Sequence, residues 1–162
     1  MQKDDQHINL KDSNSCLSKH LRPLPRLSES WSLVKRTGER GALMDASDGL
    51  ADALVQLATA SDVGMTIDLE AVPIRRETKE TAAKFKENYL DWALYGGEDF
   101  ELVGCLSEPM WRDWVADERA NTIPFKRIGR VEISKGISLT FGKEAGPEID
   151  LSRTFQHIRD NL

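Results

Sequence analysis

The 162-residue sequence predicts an α+β domain in which a mixed β-sheet is packed with α-helices. Three observations predict it. Short apolar runs of strand length alternate with segments of helical periodicity, this alternation occurs three times, and two further strand candidates follow, joined by a tight Ser134-Lys135-Gly136 connection. A compact chain of this size buries roughly two-thirds of its unfolded surface, so a core forms without a disulfide or metal staple.

Residues 1–20 are polar, mixed in charge and without apolar periodicity, and read as a flexible tail or linker remnant; the domain is assigned to residues 21–162. Leu21-Arg22-Pro23-Leu24-Pro25-Arg26 reads as a rigid strap, because each proline removes a donor and biases the residue before it toward extended backbone. Leu27, Trp31 and Val34 fall at helical spacing, with Leu33 nearby, and predict a helix from Leu27 to Arg36 that Gly38 ends. Gly41 to Met44 is too short for a helix and reads as a buried strand ending at Asp45. Ser47, Asp48 and Gly49 supply capping chemistry for a helix whose apolar face, Leu50, Leu54, Leu57 and Ala58, runs to about Ser61.

Val63 to Leu69 is rich in residues that favour strands and is ended by Pro73. Arg75 to Asn88 reads as a half-exposed helix with a narrow stripe of Ala82, Phe85 and Tyr89. Phe100 to Leu106 is a strand candidate. Ser107 and Pro109 then open a helix to about Arg119, with Trp111, Trp114 and Val115 on one face. Phe125 to Ile133 and Ile137 to Phe141 read as a β-hairpin.

Composition narrows the functional classes. The 22 Lys and Arg against 27 Asp and Glu leave a net charge of -5, which disfavours a nucleic-acid backbone as partner. No apolar stretch approaches the roughly 18–20 residues of a membrane span, and the first residues lack the apolar region of a secretory signal, so the expected address is cytoplasmic. Cys16 and Cys105 are far apart and neither has ligand spacing; they read as inert thiols, the latter buried in a strand. His7, His20 and His157 form no metal-ligand pattern. The four tryptophans read as core or subunit packing, and Arg75, Arg76, Lys84 and Lys86 as a solvated helix face.

Two segments could carry chemistry. Met44-Asp45-Ala46-Ser47-Asp48-Gly49-Leu50 places two carboxylates three residues apart at a strand exit and helix start. Magnesium prefers such hard oxygen ligands together with water and phosphate, and a phosphate can use the free amides of a helix N-terminus and the Ser47 hydroxyl. The competing reading is ordinary capping, with Gly49 only permitting a turn. Tyr95-Gly96-Gly97-Glu98-Asp99-Phe100 offers two glycines for close backbone approach and two acids before a strand, or else a turn with solvated acids. Neither matches a phosphate-loop or dinucleotide glycine pattern.

Asp45-Ala46-Ser47-Asp48-Gly49-Leu50, with Asp52 beyond it, resembles the Asp-x-Ser-Asp-Gly-Leu signature of bacterial thiamine-monophosphate kinases, in the superfamily of aminoimidazole ribonucleotide synthetase. The Leu21–Arg26 strap, Gly96-Gly97-Glu98-Asp99-Phe100-Glu101-Leu102, Ile128-Gly129-Arg130 and Phe155-Gln156-His157 resemble further motifs of that family's C-terminal domain, in family order. The resemblance implies that domain's fold and a role in transferring the γ-phosphoryl of ATP to thiamine monophosphate, with magnesium and no covalent enzyme intermediate. It implies Asp45 and Asp48 as magnesium ligands, Ser47 at an ATP phosphate with Gly49 beside it, and Glu98 and Phe155 at the thiamine substrate; no residue here is assigned a catalytic role.

The family's N-terminal domain supplies further metal ligands, much of the nucleotide site and the main dimer surface, and nothing here matches it. The expectation is therefore a C-terminal piece or one member of a split pair, inactive until an N-terminal domain is supplied, with a homodimer possible. The alternative is a non-catalytic binding or assembly module descended from this domain. Tyr95 stands where the family has Thr or Ser, adding bulk beside the glycine turn, and Phe100 stands where Tyr is common.

Overall fold

The chain's computed structural model describes residues 18–37, 41–117 and 125–154. After a short helical segment at residues 18–21, the described residues form, in order, α1 (Leu27–Thr37), β1 (Ala42–Asp45), α2 (Leu50–Ser61), β2 (Gly64–Asp68), α3 (Arg76–Phe85), α4 (Tyr89–Tyr95), β3 (Leu102–Cys105), α5 (Glu108–Ala116), β4 (Gly129–Glu132), β5 (Gly136–Phe141) and β6 (Glu144–Ala145). The class is the mixed α+β fold expected, with the strands divided between two sheets.

The smaller sheet pairs β1 with β3 antiparallel, Ala42 opposite Cys105 and Asp45 opposite Leu102. Strand side chains alternate between faces, and here both faces are covered. Ala42, Met44, Val103 and Cys105 pack on the cluster built around α2, whereas Leu43 packs on Leu33 of α1 and Trp114 of α5. Gly104, opposite Leu43, leaves the room this needs, since a Cβ there would lie 3.0 Å from Leu43 Cδ1. Trp114 meets Phe125 edge-to-face at 5.3 Å and carries the Arg36 guanidinium over its ring at 5.0 Å.

The larger sheet has the order β4-β2-β5-β6. β4 and β5 are therefore not a hairpin: β2 lies between them, antiparallel to β4 and parallel to β5. The reason is visible at Gly64. The connection from β4 to β5 crosses the start of β2 so closely that a Cβ on Gly64 would lie 1.7 Å from the Ser134 carbonyl oxygen and 2.8 Å from that of Gly136. Only glycine lets the crossing sit there. Pairing begins at Gly129, so Phe125 to Ile128 is not strand.

The main core joins Leu54, Leu57 and Ala58 of α2 to Met65 and Ile67 of β2, Leu90 and Leu94 of α4, and Leu139 of β5. Leu54 is 1% exposed, and burying such a side chain stabilises by roughly 1.5–3 kcal/mol. α2 follows the expected bounds, and of the three residues expected to supply its capping Gly49 takes the N-cap position, with no side-chain cap hydrogen bond. α3 stops at Phe85, where Lys86 turns left-handed; Asn88 then caps the separate helix α4 by accepting from the Leu90 N–H at 3.0 Å. Phe85 and Val115, expected on covered faces, are exposed.

The stripe that predicted α1 also faces outward. Leu27, Trp31 and Val34 are 75%, 63% and 47% exposed, and the residues α1 buries are Leu33 and Thr37. Trp31 is thus not core, although Trp114 is, with Trp92 and Trp111 partly covered. Among the described residues no helix is long and apolar enough to cross a membrane.

Candidate functional site

β1 delivers Asp45 to its C-terminal end, and the chain turns at once. The Ala46 N–H donates to the Glu101 carbonyl at 2.8 Å, and the Gly49 N–H closes the turn on the Ala46 carbonyl at 3.0 Å. Gly49 then enters α2 with φ 99° and ψ 157°, a conformation essentially reserved for glycine. Ala46 is buried and anchors the turn from below, while Ser47 and Asp48 are partly exposed and Asp45 is exposed.

The second acid-bearing segment lies directly against this turn. A Cβ on Gly49 would stand 2.9 Å from the Leu94 carbonyl oxygen, and one on Gly97 would stand 2.8 Å from the Ser47 carbonyl oxygen. The Glu98 N–H donates to that same Ser47 carbonyl at 2.5 Å. Sequence positions 51 residues apart are thus joined backbone to backbone, and the two glycines make the approach possible. Asp45, Ser47, Asp48, Gly49 and Glu98 belong to one place in the fold. Phe155, with the rest of the aromatic-x-His ending, lies outside the described residues.

The loop after Gly97 carries backbone strain. Glu98 and Phe100 have φ of 65° and 51°, the left-handed region that side-chain-bearing residues avoid. Phe100 therefore precedes the strand rather than starting it; β3 begins at Leu102. Lys19, His20 and Arg26 face the acids of this loop. Ser18 to Leu21 is helical, so the end of the segment read as a tail and the start of the strap form one ordered approach to it.

Tyr95 does not crowd the glycine turn through its hydroxyl. The Tyr95 hydroxyl accepts from the Asp150 N–H at 2.9 Å, the Arg153 guanidinium lies over its ring at 4.1 Å, and Arg153 pairs with Asp91 at 3.0 Å. The bulk that departs from the family pattern fastens the C-terminal segment to α4. Gly129 of the Ile128-Gly129-Arg130 motif has a packing role, since a Cβ there would meet the Thr66 carbonyl oxygen at 2.2 Å.

Carboxylates at Asp45 and Asp48 are the hard oxygen donors magnesium prefers, and the amides opening α2 suit phosphate. Among the described residues no group of three or more His, Cys, Asp or Glu could hold a metal by itself. The donor set fits a metal whose remaining ligands come from water, phosphate or another chain segment. The cavity between α1 and α5, lined by Arg36, Thr37, Leu106, Met110, Asp113 and Trp114, includes none of these residues. Cys105 is a free, partly buried thiol in β3, and burial pushes its pKa up.

Sequence reasoning picked out Arg26 and Glu101 only as parts of two motifs and missed that they meet. Opposite charges 75 positions apart give no local signal of contact.

Comparison with known proteins gives the chain's family and fold. The thiamine-monophosphate kinase of Bacillus subtilis (strain 168) is 38% identical over 117 residues, which is 71% of this chain and 34% of the relative. That of Synechococcus elongatus is 35% identical over 153 residues, 90% of this chain and 42% of the relative. A solved structure described as AaThiL complexed with AMPPCP and TMP superposes with a TM-score of 0.68 at 29% identity, over 88% of this chain and 42% of that one. The chain spans less than half the length of each. Residues 6–142 match the C-terminal domain of AIR synthase related proteins, and the chain belongs to that family.

Proposed function

We propose that this chain contributes the C-terminal half of a cytoplasmic kinase site that transfers the γ-phosphoryl of ATP to thiamine monophosphate. The observation that carries the reading is the seating of Gly97 and Glu98 on the Ser47 carbonyl, which unites the two acid-bearing turns. The names of the curated relatives and the ligands of the superposed structure supply the substrate class.

In this reading Asp45 and Asp48 hold magnesium, which when bound neutralises phosphate charge and aligns the transfer. The Ser47 hydroxyl and the amides of the α2 N-terminus receive an ATP phosphate, and Gly49 keeps the turn free of a side chain. Glu98, projecting from a strained and exposed loop, orients the thiamine substrate, and Phe155 packs against it. The chain's work is positioning and charge placement; none of its side chains forms a bond to phosphorus.

An N-terminal domain completes the site. The exposed Leu24, Leu27, Trp31 and Val34 on the strap and α1 support a covering partner, since isolated apolar side chains are ordinary but an aligned set is not.

The test measures conversion of thiamine monophosphate to thiamine diphosphate with ATP and magnesium, for the chain alone and with the N-terminal part of the Synechococcus elongatus kinase added. Turnover is expected only with both parts and only without Asp48→Asn. Robust turnover by the chain alone overturns the half-site. Absence of turnover together with absence of magnesium-dependent ATP binding favours the binding or assembly module.

A further inference from the structure

We infer that Arg26 is a positioning residue whose two-pronged ion pair with Glu101 locks the proline strap onto the acidic loop and so keeps Glu98 seated against Ser47. This deepens the reading of Glu98 as a substrate contact and rests on it for its functional half.

The loop from Gly96 to Glu101 is held at two points. Near its start, the Glu98 N–H is bonded to the Ser47 carbonyl; at its end, the Glu101 carbonyl accepts from the Ala46 N–H. Between them Glu98 and Phe100 sit in left-handed backbone that neither residue favours. Hydrogen bonds to the main chain hold that segment only at its two ends, and its side chains cover little beyond Phe100, which is 38% exposed, so the loop is open to local relaxation. The Glu101 side chain provides an additional hold.

Arg26 Nε donates to Glu101 Oε2 at 2.9 Å and Nη2 to Oε1 at 2.8 Å, the parallel fork in which guanidinium and carboxylate match best. Lys19 Nζ bonds the same carboxylate and lies 3.1 Å from Asp99 Oδ1, and His20 Nε2 lies 3.7 Å from Glu98 Oε2. The opposing anchor is stiff. Pro23 and Pro25 fix the strap's φ angles, and Glu29 of α1 holds Arg26 from behind at 3.5 Å. Burial pushes the Glu101 carboxyl up, but the hydrogen bonds and charges of Arg26 and Lys19 outweigh it and leave the group below its ordinary value. The carboxylate is thus kept ionised at the junction of loop and β3, where its backbone is also bonded to the Asp45–Gly49 turn through the Ala46 N–H. The strap leads into the domain and the loop carries Glu98, so the pair couples the approach of the chain to the placement of one side chain.

The experiment follows amide exchange of the full 162-residue chain, residue by residue, in wild type, Arg26→Gln, Glu101→Gln, the double variant and Arg26→Lys. Arg26→Gln is expected to speed exchange of the Glu98 amide by about tenfold while leaving Leu54 and Ala58 of α2 unchanged, because a local latch opens locally. Glu101→Gln has at least that effect, the double variant adds little to it, and Arg26→Lys recovers part of the protection by keeping charge without the fork. Unchanged exchange at Glu98, or equal loss of protection in α2, overturns the latch. In the two-part kinase assay, Arg26→Gln is expected to raise the KM for thiamine monophosphate more than it lowers kcat, and Arg26→Lys to restore it in part. A loosened loop with an unchanged KM overturns the positioning role. If the wild-type pair shows no turnover, the kinase reading fails on its own, and the exchange data still decide whether the latch exists.

Discussion

Gly49→Ala probes the contact on which the site depends. Two costs can be worked from the geometry. The backbone at φ 99° and ψ 157° lies where a residue with a Cβ is strained by about 1–3 kcal/mol. The new Cβ would also stand 2.9 Å from the Leu94 carbonyl oxygen and 3.3 Å from Tyr95 Cα, backbone atoms at the end of a packed helix that cannot rotate away; such overpacking adds about 1–3 kcal/mol. The smaller entropy of the unfolded alanine chain returns about 0.4–1 kcal/mol. The net expectation is a loss of about 1–6 kcal/mol, centred on about 3, which at the centre lowers Tm by roughly 6–12 °C. Gly136→Ala is the control, because Gly136 has φ 104° but nothing within 4 Å of its added Cβ, so it pays strain without collision. Urea unfolding of both variants, at unchanged m-value, separates the two contributions. A Gly49→Ala loss no larger than that of Gly136→Ala refutes the claim that α4 presses on this turn.

Two further outcomes follow from particular contacts. The Glu101 carboxyl lies below its ordinary value of 4.5 in the folded chain, so the stability it contributes is present above that pH and disappears as pH falls through the folded value. The stability difference between wild type and Glu101→Gln should be constant from about pH 6 to 8, where the carboxyl is ionised in both folded and unfolded chains, and shrink in acid; a difference that persists unchanged to about pH 2 contradicts the pairing. Tyr95→Phe removes the acceptor for the Asp150 N–H and keeps the ring under Arg153, so it should cost about 0.5–1.5 kcal/mol and speed exchange of the Asp150 amide. Unaltered exchange there shows that Tyr95 does not fasten the C-terminal segment.

What the sequence made legible was local. The apolar face of Leu50, Leu54, Leu57 and Ala58 marks α2, because a periodic stripe largely coincides with the buried side when both sheets press on one helix, although burial here also takes in Ala51, Asp52 and Ala53. α1 shows where that equivalence ends. Leu27, Trp31 and Val34 have helical spacing, yet it is Leu33 and Thr37 that are buried, since periodicity reports a helix without saying which neighbour covers it. α4 was overlooked because a helix of only seven residues offers too little periodicity to register beside the glycines that follow it.

The larger failure, the supposed hairpin of β4 and β5, exposes the same limit at the level of topology. Ser134-Lys135-Gly136 has the composition of a tight turn, and local chemistry cannot distinguish strands that pair from strands that flank a third. The deciding residue, Gly64, lies 70 positions before Ser134 and acts by having no side chain. The candidate site is built by the same device: Gly49 and Gly97 open the space through which Leu94 and Ser47 approach, and the charges of Arg26 and Glu101 then meet across the strap. The acidic motifs were readable because their chemistry is written in adjacent residues; the joining of the motifs depends on absences, and an absent side chain carries no signal until its distant neighbour is in place.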